Sequence, residues 1–234
     1  MKSTFLKVVL GSMLAMALGL ILSWFLADTS TPATDFPWQI ENTPDGSIKV
    51  FHIQPGVTRL GEFEHRYRAE SELTLFVPRN FESPDSGSIS DASVIEAYFD
   101  SITIGGIKAK IVLSLSVDKQ TMDAMYNRGT RIRTLDGGAR KINLSSDDAS
   151  ALKNFPVSSI TYIPSINLDA ELIQKRFGTP AQKIADSNTG AIHWLYPEKG
   201  LDIALSDNTN EVLQYVHPRN FDRITAPLTQ QNTM

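Results

Sequence analysis

The sequence predicts an α+β protein, with an N-terminal transmembrane helix followed by antiparallel β-sheets with short packed helices. Phe5–Ala27 reads FLKVVLGSMLAMALGLILSWFLA, and no ionisable residue lies between Lys7 and Asp28. Beyond it, β-branched and aromatic runs are separated by turn residues, most clearly at Gly105-Gly106 and Asp136-Gly137-Gly138. Short amphipathic segments with capping residues at their starts fall between those runs.

As a helix rising ~1.5 Å per residue, Val8–Ala27 covers ~30 Å, about the thickness of a bilayer's hydrocarbon core. Lys2 and Lys7 precede the run and the next basic residue, Lys49, comes well after it, so the N-terminus is expected to stay cytoplasmic. Trp24 and Phe25 suit the far membrane–water interface. The expected place is the inner (plasma) membrane, single pass, with the C-terminal domain periplasmic or extracellular. A cleaved signal peptide releasing a periplasmic protein is the alternative. Against it, the run exceeds the ~7–15 residues of an h-region, and Phe25 stands where a cleavage site wants a small side chain. Gly11, Ala15, Gly19 and Ser23 recur at every fourth position and form a shallow face on which two helices could approach closely, so a homodimer through the membrane helix is an expected partner arrangement.

The chain has 234 residues, with 22 Lys+Arg and 26 Asp+Glu. Without Lys2 and Lys7 the balance is 20 against 26, a formal −6. With no basic run, this argues against a nucleic-acid partner. The chain has no cysteine, which excludes disulfides, thiolate chemistry and lipidation on a cysteine. The hydrophobic fraction of 41% is that of a folded domain.

Residues 28–46 are read as a tether, rich in Ser, Thr, Asp and Pro, with Trp38 and Ile40 as the first side chains to pack. Residues 47–164 form the first expected subdomain. It begins with an alternating strand over Ser47–Ile53 and a helix capped by Thr58 that presents Leu60, Phe63 and Tyr67. A strand Glu72–Val77, a loop excursion Phe81–Asp91 and the hairpin of Val94–Ile104 with Ile107–Val117 follow. Asp118 is expected to cap a helix over Lys119–Asn127, Thr130–Leu135 and Ala139–Leu144 to form a second hairpin, Ser145 to cap a third helix, and Val157–Ile163 to be a strand.

The second expected subdomain, residues 165–224, has a helix Leu168–Phe177 capped by Asn167, then a four-stranded meander through Glu211–Val216. Residues 225–234 are polar and read as a disordered tail. Val77-Pro78-Arg79-Asn80-Phe81 echoes Val216-His217-Pro218-Arg219-Asn220-Phe221, either by duplication of a helix-plus-sheet unit or by chance.

Within Asn167–Leu205, a short helix ends in Phe177-Gly178-Thr179-Pro180, a Gly190 turn follows, and His193-Trp194-Leu195-Tyr196 forms an aromatic strand. This stretch resembles the SmpA/OmlA type of small outer-membrane-assembly lipoprotein, a β-lactamase-inhibitor-protein-like domain, and Gly56-Val57-Thr58 resembles that family's helix opening. The resemblance covers about forty residues, lacks the family's lipidated Cys, and has no counterpart for Val94–Leu144. It implies a non-catalytic protein-binding module of the bacterial envelope and carries over no catalytic residue.

The residues show no HExxH, nucleophile elbow or phosphate-binding glycine loop in the exported part. No cofactor or metal is therefore expected, and no catalytic residue is assigned. Candidate partner-binding residues are Trp194, Tyr196 and Tyr215, as aromatic contacts on a sheet face, and Arg79 and Arg219, which follow prolines at strand ends and could grip an anionic group. The reading is a membrane-anchored binding or scaffold module, an accessory subunit of a bacterial envelope complex with a membrane or envelope protein as partner. The alternative is an envelope hydrolase built from distant acids with His193 or His217.

Overall fold

The longest ladder grows from Gly105-Gly106, whose φ angles of 58° and 78° suit residues without a Cβ. They join β4 (Val94–Ile104) to β5 (Ile107–Leu115) as an antiparallel pair. Along β5, buried Ile107, Ala109, Ile111 and Leu113 alternate with exposed or half-exposed residues, the period-two signature of a sheet with one wet face.

The computed structural model describes residues 35–79, 89–206 and 209–231. The expected span Phe5–Ala27, its face of Gly11, Ala15, Gly19 and Ser23, and most of the Phe81–Asp91 excursion lie outside those residues. Among the described residues no helix is long and apolar enough to cross a membrane.

A small ribbon, β1 (Glu41–Asn42) with β2 (Ile48–Lys49), precedes the main sheet. The main sheet has ten strands in the order β6-β7-β3-β4-β5-β8-β12-β11-β10-β9, and every neighbouring pair is antiparallel. On one side of the β4–β5 hairpin stand β3 (Glu72–Val77), β7 (Arg140–Asn143) and β6 (Arg131–Thr134). On the other stand β8 (Val157–Pro164), β12 (Val212–Val216), β11 (Leu201–Leu205), β10 (Ile192–Tyr196) and β9 (Gln182–Ala185). Because β8 pairs with both β5 and β12, the two expected subdomains share one continuous sheet.

The register puts one apolar row across this sheet: Phe99, Ile111, Tyr162, Leu213, Ile203 and Trp194 are successive cross-strand neighbours. Four helices bury their stripes against that inner face: α1 (Leu60–Tyr67), α2 (Lys119–Asn127), α3 (Ser146–Leu152) and α4 (Ala170–Phe177). Leu60, Phe63, Met122, Met125, Leu152, Ile173 and Phe177 all belong to the same core. The sequence-level caps of two helices hold, with Asp118 accepting from the Thr121 N–H at 2.9 Å and Ser145 from the Asp148 N–H at 3.2 Å.

Five expectations are corrected. The tether does not reach residue 46: Asp35 already bonds to His52 and Tyr67, and Phe36 stacks on Trp38 with ring centroids 4.8 Å apart. Ser47–Ile53 is not a continuous strand. Val50 and Ile53 exchange both backbone hydrogen bonds, at 3.0 and 2.8 Å, and Phe51 and His52 between them have φ of 51° and 59°. This is a two-residue turn of the I′ kind, built from Phe-His where Asn-Gly is usual.

Thr58 is not the N-cap of α1, because its hydroxyl accepts from the Gln54 N–H at 3.0 Å and Arg59 takes the cap position without a side-chain bond. The cap of α4 is Asp169 instead of Asn167, since Glu211 Oε2 accepts the Leu168 N–H at 2.9 Å and holds buried Leu168 ahead of the helix.

The tail is not disordered from residue 225. It forms α5 (Phe221–Gln231) despite Pro227, because Phe221 and Leu228, two turns apart, bury with Ile184, Leu195 and Val216 on the outer face of the sheet. Residues 232–234 lie outside the described residues.

Candidate functional site

The Phe51-His52 turn sends its two side chains to different tasks. Phe51 is buried, stacked on Tyr162 at 4.9 Å and edge-on to Tyr215 at 6.0 Å, which anchors the turn in the core. His52 is half-exposed beside α1, with Nε2 2.8 Å from Asp35 Oδ1 and 2.6 Å from Arg66 Nη2. Nε2 serves one of these partners at a time. Carrying a proton it donates to Asp35; without one it accepts from Arg66. Asp35 also accepts from the Tyr67 hydroxyl at 2.8 Å, and burial together with this carboxylate pushes the Tyr67 phenol well above its ordinary range.

Four side chains from three separate segments thus converge: Asp35 from the first described residue, His52 from the turn, and Arg66 and Tyr67 from the last turn of α1. Two of them, His52 and Arg66, line an open cavity of about 610 Å³. Phe51, Ile53 and Phe63 give it a buried apolar floor, and His65, Arg66 and Arg68 give it an exposed basic rim opposed by Glu62. Among the described residues, the non-glycine positions with positive φ are Phe51, His52 and Arg68, and all three line this cavity. Left-handed backbone at a residue with a Cβ costs about 1–2 kcal/mol, so among the described residues this form of backbone strain is gathered in one place.

A second polar cluster lies on the outer face. His193 Nδ1 is 2.7 Å from Asp202 Oδ2, across the β10–β11 ladder, with Asp202 buried and its Oδ1 without a protein partner. The Asp202 hydrogen bond raises the His193 pKa, burial opposes it, and Asp186 adds a smaller upward push. Asp186 is itself turned toward its own loop, accepting from the Asn188 N–H at 2.9 Å and the Thr189 hydroxyl at 2.7 Å. His217 belongs to a different network: its Nδ1 accepts from the Arg219 N–H at 3.2 Å, and burial lowers its pKa. Neither His193 nor His217 lines the cavity at His52. No group of three or more His, Cys, Asp or Glu among the described residues could hold a metal.

The aromatic candidates are core side chains. Tyr215 is fully buried and donates to the Pro37 carbonyl at 2.8 Å, Tyr196 donates to the Gly178 carbonyl at 3.0 Å, and Trp194 sits under the Lys183 ammonium at 3.6 Å from the ring centroid. They face inward because β10 and β12 place odd and even positions on opposite faces, and the inner one is covered by helices. Arg79 and Arg219 are exposed. They leave the same end of the sheet from β3 and β12, four strand spacings or ~19 Å apart, and do not converge on one group. Their shared motif follows β3 in one case and β12 in the other.

The sequence alone places His52 in a strand and Asp35 in the tether, 17 residues apart, and carries no local mark of their convergence. The one available signal is composition: all four residues from His65 to Arg68 are basic or aromatic at the end of a predicted helix. No protein-family model, curated protein or solved structure matches the chain.

Proposed function

We propose that the chain is a binding module held at a membrane by Phe5–Ala27 and displayed on the extracytoplasmic side, an accessory subunit of a bacterial envelope complex. The observation that carries this reading is how the segment after the expected span is secured. Asp35 bonds to His52 and Tyr67, the Pro37 carbonyl accepts from Tyr215 in the core, and Trp38 lies edge-on to Phe177 at 6.5 Å with Arg176 over its ring at 4.7 Å.

Only residues 28–34 separate Ala27 from that docked segment. At ~3.3–3.6 Å per residue, the eight steps from Ala27 to Asp35 span at most ~29 Å. A domain on so short a lead stays beside the bilayer that holds it, which suits a subunit whose partners are membrane or envelope proteins. The resemblance of Asn167–Leu205 to the SmpA/OmlA type of lipoprotein points to the same class of role.

Alkaline carbonate washing of membranes, with mass spectrometry of the mature N-terminus, tests the reading. Retention of an intact chain in the pellet supports it. A soluble chain starting beyond Ala27 replaces it with a released periplasmic protein.

A further inference from the structure

We propose that the cavity beside His52 binds a phosphate group, gripped by Arg66 and Arg68 with His52 and His65 at its edge. The proposal rests on the membrane-anchored reading only for where the phosphate comes from.

The site combines three properties. It is concave, with an apolar floor of Phe51, Ile53 and Phe63 that a glycerol or other small carbon moiety attached to the phosphate could cover. Its lining is basic although the domain as a whole is acidic, with two guanidinium groups and two imidazoles against the one lining carboxylate, Glu62, and with Asp35 2.8 Å from His52 as the second acid nearby. Arg66 and Arg68 are both exposed, and guanidinium forks match phosphate oxygens bidentately.

The third property is strain. Arg68 ends α1 in left-handed backbone at φ 49°, a position where glycine is the common choice, and Phe51 and His52 share that conformation across the cavity. Basic residues in the last turn also complement the helix dipole, which accounts for their charge but not for a bulky Arg at a glycine position or for the Phe-His turn.

His52 links the site to the docked lead segment. When Arg66 turns to a phosphate, Nε2 of His52 is left to Asp35, the residue at the head of the chain's route to the bilayer. Asp35 lies within ~29 Å of the expected membrane surface along the chain, so an anionic phospholipid headgroup is within reach as well as a free phosphate compound.

The full chain is reconstituted in phosphatidylcholine nanodiscs and titrated calorimetrically with inorganic phosphate. In parallel, discs containing phosphatidylglycerol are examined by native mass spectrometry for lipid retained on the released protein. Binding of phosphate alone assigns a soluble source; retention of phosphatidylglycerol assigns the headgroup. In either case R66Q/R68Q weakens binding by roughly ten- to a hundredfold, the range of a lost charge-assisted hydrogen bond. The pair R131Q/R133Q, on the exposed edge strand β6, leaves it unchanged.

Absence of both ligands, or equal binding by R66Q/R68Q, overturns the site. If the chain does not enter discs, the anchored reading fails, and titration of the lipid-free full chain with phosphate still decides the site.

Discussion

His193 and Asp202 sit on adjacent strands with Nδ1 and Oδ2 2.7 Å apart, and the carboxylate is buried. Because the folded-state pKa of His193 lies above its unfolded value of about 6.5, the pair stabilises the protein fully below that value. The contribution is lost as pH rises through the raised folded pKa. Denaturant titrations should therefore show stability declining from about pH 6.5 upward in the native protein, with this component absent from His193→Gln combined with Asp202→Asn. His193→Ala alone leaves a buried carboxylate without its partner and should cost about 3–5 kcal/mol.

Asp148 gives the opposite slope. Arg128 donates to it from Nε at 3.2 Å and Nη2 at 2.5 Å, and Ser145 adds a hydroxyl, so the carboxyl is held below its ordinary range. The stability it contributes is present above about pH 3.8 and disappears as pH falls through the depressed value. Asp148→Asn should lose about 1–3 kcal/mol at neutral pH and flatten the acid limb of the stability profile.

Tyr215 and Trp194 were candidates for partner contact, and their burial converts them into tests of the core. Tyr215→Phe leaves the buried Pro37 carbonyl without its donor and should cost about 1–3 kcal/mol. Trp194→Ala should cost about 3–5 kcal/mol. Urea unfolding of each variant checks both values, and a stability equal to wild type would rule out a contribution of these rings to the core.

Two glycines separate local strain from collision. A Cβ at Gly200 would stand 2.0 Å from the Val216 carbonyl oxygen, whereas one at Gly106 meets nothing within 4 Å. Both have positive φ, so Gly106→Ala should cost about 1–2 kcal/mol from the backbone alone. Gly200→Ala should cost markedly more, because backbone must shift. Paired thermal melts compare them directly.

His52→Asn probes the reason for the Phe-His turn. Asn tolerates left-handed backbone, so relief of strain offsets the lost contacts to Asp35 and Arg66, and stability should change by less than about 1 kcal/mol. A loss above about 2 kcal/mol by urea unfolding would show that His52 is kept for stability.

Much of the local structure was legible in the chain. Gly105-Gly106 and Gly137-Gly138 announced their hairpins, Asp118 and Ser145 their helices, and the meander from β9 to β12 its antiparallel order. Each of these signals acts between residues a few positions apart, through φ preference, a side-chain cap or period-two alternation, and so is written in neighbouring letters.

What the sequence by itself determined is the class of the fold, α+β with an antiparallel sheet, and the placement of its local elements. Only the tertiary structure decided that β8 joins both halves in one sheet, that Phe221 and Leu228 make a helix of a polar tail, and that Asp35, His52 and Arg66 meet. Those outcomes depend on contacts between positions 14 to more than 40 residues apart, such as His52 with Arg66 and Glu211 with Leu168. Burial and chain closure set such contacts collectively, and they can override a local preference, as they do where Phe51 and His52 are held in a turn that their own side chains disfavour.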